Sequence, residues 1–296
     1  MSDEKISIAV AGHTNSGKTT LIRSLMKSNV GTIGDRANVT KFSEENCHDG
    51  LQATFIDCPG FTKASDLLKY IKLKKEKPDL LSQIASVFNP DKFVYDERAI
   101  NAIKNSDVVF YLANLETIPE DDHDEEIELI RSVHNKIIGI GNKSRKRGKK
   151  EVDEKLSGRI HQWESFFRKN EILNFIMFDT FWDNPSKIIS IYGFVKELLS
   201  DNERKAYVFD QGLKRYYERQ IAIFKESSDL LAECVIKCRE IKKSADESKK
   251  SRTSLQEEAK KELESTFKNF VKDIEKGASH FGNYKEKAKS SCGDTA

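Results

Sequence analysis

The chain has 296 residues, with 50 lysines and arginines against 48 aspartates and glutamates, a formal charge of +2. That length supports one large domain, or a medium domain with an appendage, and excludes the small disulfide-stapled folds. The near-neutral balance excludes a global attraction to nucleic acid or anionic membrane, so any such partner must be met by a local patch. Cys47, Cys58, Cys234, Cys238 and Cys292 are odd in number and form no CxxC pair. A reduced, cytoplasmic protein is expected. The opening residues lack a basic segment followed by an apolar core, and no stretch approaches the roughly 18 apolar residues of a spanning helix. The chain therefore reads as soluble and unexported.

In chain order, residues 5–11 form a short apolar run ending at Gly12, suited to a buried parallel strand. Leu21, Ile22, Leu25 and Met26 then recur at helical spacing. Further buried strands are expected at 53–56, 108–112, 137–140 and 173–178, separated by helical segments. Strands alternating with helices predict an α/β fold, a mostly parallel sheet flanked by helices, over residues 1–199. Residues 62–106 read as a helical insert, with helices around 67–73 and 80–88 split by Pro78 and closed by Pro90. Residues 200–296 read as a helical C-terminal region. There Tyr217, Ile221, Phe224, Ser228, Leu231, Val235 and Cys238 repeat at alternating spacings of four and three, the seam of a coiled coil. Leu255, Ala259, Leu263, Phe267, Phe270 and Ile274 mark a second helix, so a helical hairpin is expected.

Gly12-His13-Thr14-Asn15-Ser16-Gly17-Lys18-Thr19 matches the phosphate-binding loop G-x-x-x-x-G-K-[ST], and it stands between a predicted strand and a predicted helix. Glycines let backbone N–H groups converge on phosphate oxygens, and the helix N-terminus adds its dipole. Lys18 would bridge the β- and γ-phosphates and the Thr19 hydroxyl would hold Mg²⁺, with Asn15, Ser16, Gly17 and Thr20 completing the nucleotide contacts. Phe55-Ile56-Asp57-Cys58-Pro59-Gly60 ends a later strand. Asp57 can reach Mg²⁺ through water there, and Gly60 can offer its N–H to a γ-phosphate.

Together these motifs resemble those of P-loop GTPases of the translation-factor-related class, in particular the Era-like group that includes Era, TrmE and the septins. In that group an asparagine precedes x-Gly-Lys, as Asn15 does, and a hydrophobic residue replaces the water-orienting glutamine after D-x-x-G, as Phe61 does. Residues 31–40 are similar to the group's first switch, whose threonine closes over Mg²⁺ and the γ-phosphate; Thr40 matches it. The resemblance covers residues 5 to about 198. A closer likeness is to bacterial members with a G-H-T-N-x-G-K-T loop, an insert after D-x-P-G and a poorly characterised C-terminal region. It implies a Mg²⁺-dependent GTP-binding and GTP-hydrolysing switch with Lys18, Thr40 and Gly60 at the reacting phosphate. K⁺ beside Asn15 is a further implication. With Phe61 in place of glutamine, slow intrinsic turnover is expected.

The guanine-reading element of such proteins is N-K-x-D, whereas this chain has Asn142-Lys143-Ser144-Arg145. Arginine cannot accept a hydrogen bond, so the acidic acceptor for guanine is missing from its usual place. Asp179, in the family's other base-flanking loop, is one replacement; a loop or helix-capping role is the other. Residues 143–150 pack six cations into eight positions, a surface for RNA, an anionic headgroup or the nucleotide, or simply a solvated loop. The acidic run from Glu120 follows Pro119 and suits a helix start. The histidines form no metal-ligand pattern. Two other readings stay open: a nucleotide-binding scaffold with little or no hydrolysis, and an RNA- or membrane-associated assembly factor using the basic loop. A protein partner or self-association through the switches or the helical tail is also expected.

Overall fold

The computed structural model describes residues 5–26, 44–48, 50–61, 63–76, 94–144, 155–181, 183–241 and 252–278. Contacts divide the chain into two compact units, with the main break between Lys214 and Arg215.

The first unit is built on a six-stranded sheet of β1 (Ile6–Ala11), β2 (Glu44–His48), β3 (Ala53–Asp57), β4 (Val108–Asn114), β5 (Ile137–Asn142) and β6 (Phe175–Met177), in the order β2-β3-β1-β4-β5-β6. All neighbours are parallel except β2 with β3. The apolar runs read from the sequence fall inside β1, β3, β4 and β5 because these strands are buried on both faces, which leaves no polar alternation in them. The apolar run expected at 173–178 contracts to the three residues of β6. Strand β2 was not expected: Glu-Glu-Asn-Cys-His is polar because it is an exposed antiparallel edge, where packing makes no demand for apolar side chains.

The helices of this unit are α1 (Lys18–Met26), α2 (Ala64–Glu76), α3 (Val94–Lys104), α4 (Asp121–Arg131), α5 (Leu156–Lys169) and α6 (Ile188–Leu198). The helix expected at 67–73 lies within α2, while the one expected at 80–88 lies outside the described residues. On one face of the sheet, Ala9, Ile56, Val109 and Tyr111 pack with Leu67, Ile103, Ile127, Trp163 and Phe167 in a single apolar cluster. Alternate strand residues point to the other face, where α1 contacts β1 and β3. Helix α4 starts with Glu120 as its cap. The Glu120 side chain accepts from the His123 backbone N–H while His123 Nδ1 accepts from Glu120 N–H at 3.0 Å, and the three aspartates of the first turn suit the helix dipole.

The long helix α7 (Glu203–Glu240) begins in the first unit, which explains why that unit runs past residue 200. Phe209 is fully buried against Tyr192, and Lys205 pairs with Asp107 at 2.7 Å.

The second unit holds the rest of α7 and α8 (Arg252–Ala278). Here the phase of the apolar seam differs from the sequence reading. Ile221, Phe224, Leu231 and Val235 are exposed, by 52% to 75%, and the more sheltered stripe is Ile223, Ser227, Leu230 and Cys234. Likewise Leu263 and Phe267 of α8 are exposed, whereas Leu255 is buried. Both helices carry apolar residues on adjacent stripes, so spacing alone did not select which one turns inward. No helix among the described residues is long and apolar enough to cross a membrane.

Candidate functional site: the phosphate loop and its surroundings

The site lies at the carboxyl ends of the central strands, as open parallel sheets dictate. Register places Asp57 beside Val10 and Asn142 beside Asn114, so β3 and β5 deliver their last residues to the two sides of the loop leaving β1.

The loop needs its two terminal glycines. Gly12 has φ +135° and Gly17 φ +101°, and a Cβ on Gly12 would sit 2.7 Å from the Leu112 carbonyl oxygen. Asn15 takes φ +64° at the exposed tip, a conformation that asparagine tolerates better than other side-chain-bearing residues. Lys18 is buried and folds back, its Nζ donating to the carbonyl oxygens of Gly12 at 3.0 Å and His13 at 3.1 Å. Burial pushes its ammonium below the ordinary lysine value, opposed by the carboxylates of Asp57 and Glu126.

Thr19 Oγ1 donates to Asp57 Oδ2 at 2.5 Å. This pairs a hydroxyl and a carboxylate of the types a hard cation takes, in a buried corner beside the loop. The Ser16 hydroxyl, 1% exposed, has no hydrogen-bond partner among the described residues. Both features fit a site that is completed by a phosphate and Mg²⁺. Among the described residues there is no cluster of three or more His, Cys, Asp or Glu able to hold a metal. Thr20 is half-buried on α1. Thr40 lies outside the described residues, as do residues 145–150 of the basic run.

Gly60 packs on the loop: a Cβ there would lie 2.7 Å from Thr14 Oγ1 and 3.1 Å from its Cα. Phe61 turns the other way and is buried in the apolar cluster with Ala9 and Cys58. The Cys58 thiol is pushed up to about 12, by burial first and by Asp57 second, so it is no nucleophile.

Asn142 is 2% exposed and joins three segments. Its Nδ2 donates to the Ser16 carbonyl at 2.9 Å, and its Oδ1 accepts from the Thr180 N–H at 3.1 Å and the Thr180 hydroxyl at 3.3 Å. Lys143 adopts φ +59° and its ammonium lies 3.8 Å from Glu116. Asp179, also 2% exposed, accepts from the Phe181 N–H at 3.0 Å and from the Ser144 hydroxyl at 2.9 Å. The fold thus brings a buried carboxylate against Ser144, next to the position where N-K-x-D would have its aspartate.

One network went unread in the sequence. His13 Nδ1 donates to Glu126 Oε1 at 2.7 Å, and the Tyr111 hydroxyl donates to Glu126 Oε2 at 2.7 Å. Glu126 was counted among the acids of the α4 start. The available signal was its place beside Ile127 and one turn from His123 and Ile130, on the inward face of the helix.

Residues 7–143 match the family model described as 50S ribosome-binding GTPase. GTPase Era of Campylobacter jejuni subsp. doylei is 33% identical over 92 residues, covering 29% of this chain and 32% of that protein. GTPase Era of Geotalea daltonii is 22% identical over 152 residues, covering 51% and 43%. The chain thus spans between about a third and under half the length of these relatives. Among solved structures, Aquifex aeolicus Era bound to GDP.AlF4- has 17% identity, covers 64% of this chain and 55% of that one, and gives a TM-score of 0.44. Era in complex with MgGDPNP and nucleotides 1506-1542 of 16S ribosomal RNA has 18% identity, covers 64% and 56%, and gives the same TM-score. The family match opens in β1 and closes at Lys143, enclosing the phosphate loop, Asp57 to Gly60 and Asn142, so this segment of the chain is similar to a GTPase domain.

Proposed function

We propose that the chain is a Mg²⁺-dependent molecular switch of the cytoplasm that binds GTP and hydrolyses it slowly. The observation that carries this reading is the Thr19–Asp57 pair at 2.5 Å beside the buried Lys18, which assembles a cation corner and a phosphate-binding cation at one strand end. Bound Mg²⁺ would supply charge neutralisation between the β- and γ-phosphates. Lys18 would exchange its two carbonyl contacts for phosphate oxygens, and the N–H groups of residues 15–19 would surround the β-phosphate. Gly60, already against Thr14, is placed for its N–H to follow the γ-phosphate, and Thr40 would close from the first switch. The burial of Phe61 supports slow turnover, because that side chain takes no part in orienting water. Asn15 at the exposed loop tip is the residue that would meet K⁺. Guanine choice would fall to Asp179 beside Ser144, with Asn142 and Lys143 framing the base. The exposed apolar stripe of Ile221, Phe224, Leu231 and Val235 is the surface on which a protein partner or a second copy would sit.

The test titrates fluorescent GTP, GDP and ATP analogues with Mg²⁺ in K⁺ and in Na⁺ buffers, followed by steady-state phosphate release. Guanine-preferring binding and release that vanish in Lys18→Ala are expected. Tight binding without release would make the chain a nucleotide-binding scaffold, and equal rates in K⁺ and Na⁺ would remove the potassium role.

A further inference from the structure

The second half of α7 leaves apolar surface uncovered. Ile221, Phe224, Leu231 and Val235 are each more than half exposed, and they share one stripe of the helix with the exposed Ser228. The sheltered residues of the same segment, Ile223, Ser227, Leu230 and Cys234, lie on the neighbouring stripe. The exposed positions alternate at spacings of three and four, and Cys238 continues them, which is the repeat of a two-helix seam. From Ile221 to Cys238 that seam runs about 27 Å. Its hydroxyl-bearing member, Ser228, donates to the Phe224 carbonyl oxygen at 2.7 Å. The hydroxyl is satisfied inside its own helix, so an apolar side chain can cover Ser228 without leaving a buried donor unpaired.

Charge and side-chain size decide what covers the stripe. On the side away from the sheltered residues it is flanked by Glu218, Lys225, Ala232 and Arg239, spaced by seven. Glu218 and Arg239 are exposed and enter no ion pair among the described residues. A second α7 running antiparallel sets Phe224 opposite Val235, Leu231 opposite Ser228 and Ile221 opposite Cys238, a larger side chain against a smaller one at each step. The same register sets Glu218 of each copy opposite Arg239 of the other, twice by the two-fold axis, and Lys225 opposite Ala232, so no like charges meet. A parallel pair in register would set Phe224 on Phe224 and would leave Glu218 about 30 Å from Arg239 along the seam.

We infer that this stripe of α7 is a self-association surface, on which a second copy of the chain docks with its own α7 antiparallel. This rests on the reading of the stripe as an interaction surface and names its occupant. The seam is short and carries Ser228 near its middle, so the pair is weak: it forms as concentration rises, and single chains prevail in dilute solution.

Sedimentation equilibrium of the full chain over a wide concentration range tests this, with urea unfolding of each variant in dilute solution as the control. An equilibrium between one chain and two is expected. Leu231→Lys and Phe224→Glu should abolish it while their dilute unfolding midpoints stay at the wild-type value, because both side chains are exposed in the single chain. Glu218→Arg and Arg239→Glu should each weaken association, roughly five- to tenfold, and the double exchange should return it near the wild-type constant. That rescue requires the two side chains to face each other, which the antiparallel register provides and the parallel one does not. Additive loss in the double exchange, or association that both seam variants leave intact, overturns the inference. So does a single chain at every concentration. If Phe224→Glu then unfolds like the wild type, the stripe stays open to a different protein and the second-copy assignment alone falls. If it lowers the midpoint instead, the stripe is covered within the chain itself, and the interaction-surface reading falls as well.

Discussion

Gly60 lies against Thr14 so closely that a Cβ on it would meet the threonine Oγ1 at 2.7 Å and its backbone nitrogen at 3.2 Å. The end of the D-x-P-G segment and the phosphate loop are therefore in contact. Backbone atoms cannot rotate away as a flexible side chain would, so Gly60→Ala must shift one segment from the other. Overpacking of this kind costs about 1–3 kcal/mol. The expected outcome is a lower thermal midpoint, together with weaker binding of a GTP analogue relative to GDP, because in the proposed switch only the triphosphate would draw on the Gly60 N–H. Equal loss for both nucleotides would place the effect in the loop alone.

Asn142 holds the Ser16 carbonyl with its amide nitrogen and Thr180 with its amide oxygen. In Asn142→Ala, these buried groups lose their partner, at about 1–3 kcal/mol for each left unsatisfied. Urea unfolding should show a lower midpoint with an unchanged slope, and GDP affinity should fall as well, since Ser16 belongs to the loop proposed to hold phosphate. Asn142→Asp is the sharper variant. It keeps an acceptor for Thr180 but offers a carboxylate to the Ser16 carbonyl, two acceptors facing each other, and should be at least as destabilised as Asn142→Ala.

Asp179 accepts from Phe181 N–H on one oxygen and from Ser144 on the other. If it replaces the missing acceptor of N-K-x-D, Asp179→Asn should reduce the preference for GTP over ATP by about tenfold or more, as sites built to pair a donor lose discrimination when the acceptor goes. The control is stability: the asparagine keeps a carbonyl for Phe181 N–H, so the melting point should move little. A competition titration in which GTP and ATP weaken in parallel would return Asp179 to the role of a loop-tying aspartate.

How much of this was legible follows from where each signal resides. The phosphate loop reads from sequence because its chemistry fixes Gly12, Gly17, Lys18 and Thr19 within one short stretch, and β1 and α1 flank it with opposite periodicities. Asp57 reads almost as well, since an apolar strand delivers it. Glu126 did not, because its burial arises from packing α4 under the loop, and an acidic helix start hides one inward carboxylate among outward ones. The clamp role of Asn142 was equally hidden: its partners Ser16 and Thr180 are distant in sequence, and only the parallel register of β5 brings them together. Strand β2 gave no signal because an edge strand need not be apolar.

Helix α7 offers a contrast between two phenylalanines that sequence spacing cannot rank. Phe209 is fully buried with its ring 6.0 Å from that of Tyr192, while Phe224 is 75% exposed. Phe209→Ala should cost about 3–5 kcal/mol, as emptying a large core site does. Phe224→Ala should stay within about 0.5 kcal/mol. Urea titrations followed by circular dichroism compare them directly. A large cost at Phe224 would mean that the stripe is covered in solution, and its dependence on protein concentration would then show whether a second copy does the covering.

The Thr19 hydroxyl and the Asp57 carboxylate make the most economical test of the cation. A cation seated here would draw on the threonine oxygen directly, and the 2.5 Å hydrogen bond means that the two side chains must part or admit the ion between them. Chelation of Mg²⁺ should therefore weaken wild-type binding of a GTP analogue by about tenfold or more, with a smaller effect on GDP, which has one phosphate fewer to share with the ion. Thr19→Val keeps the shape and removes the hydroxyl, leaving Asp57 Oδ2 without that donor. It should bind the triphosphate at the level of the chelated wild type and respond little to added Mg²⁺, whereas Thr19→Ser should recover the response. A Thr19→Val chain with full Mg²⁺ sensitivity would move the cation off this corner and leave the hydroxyl with the task of holding Asp57 in place.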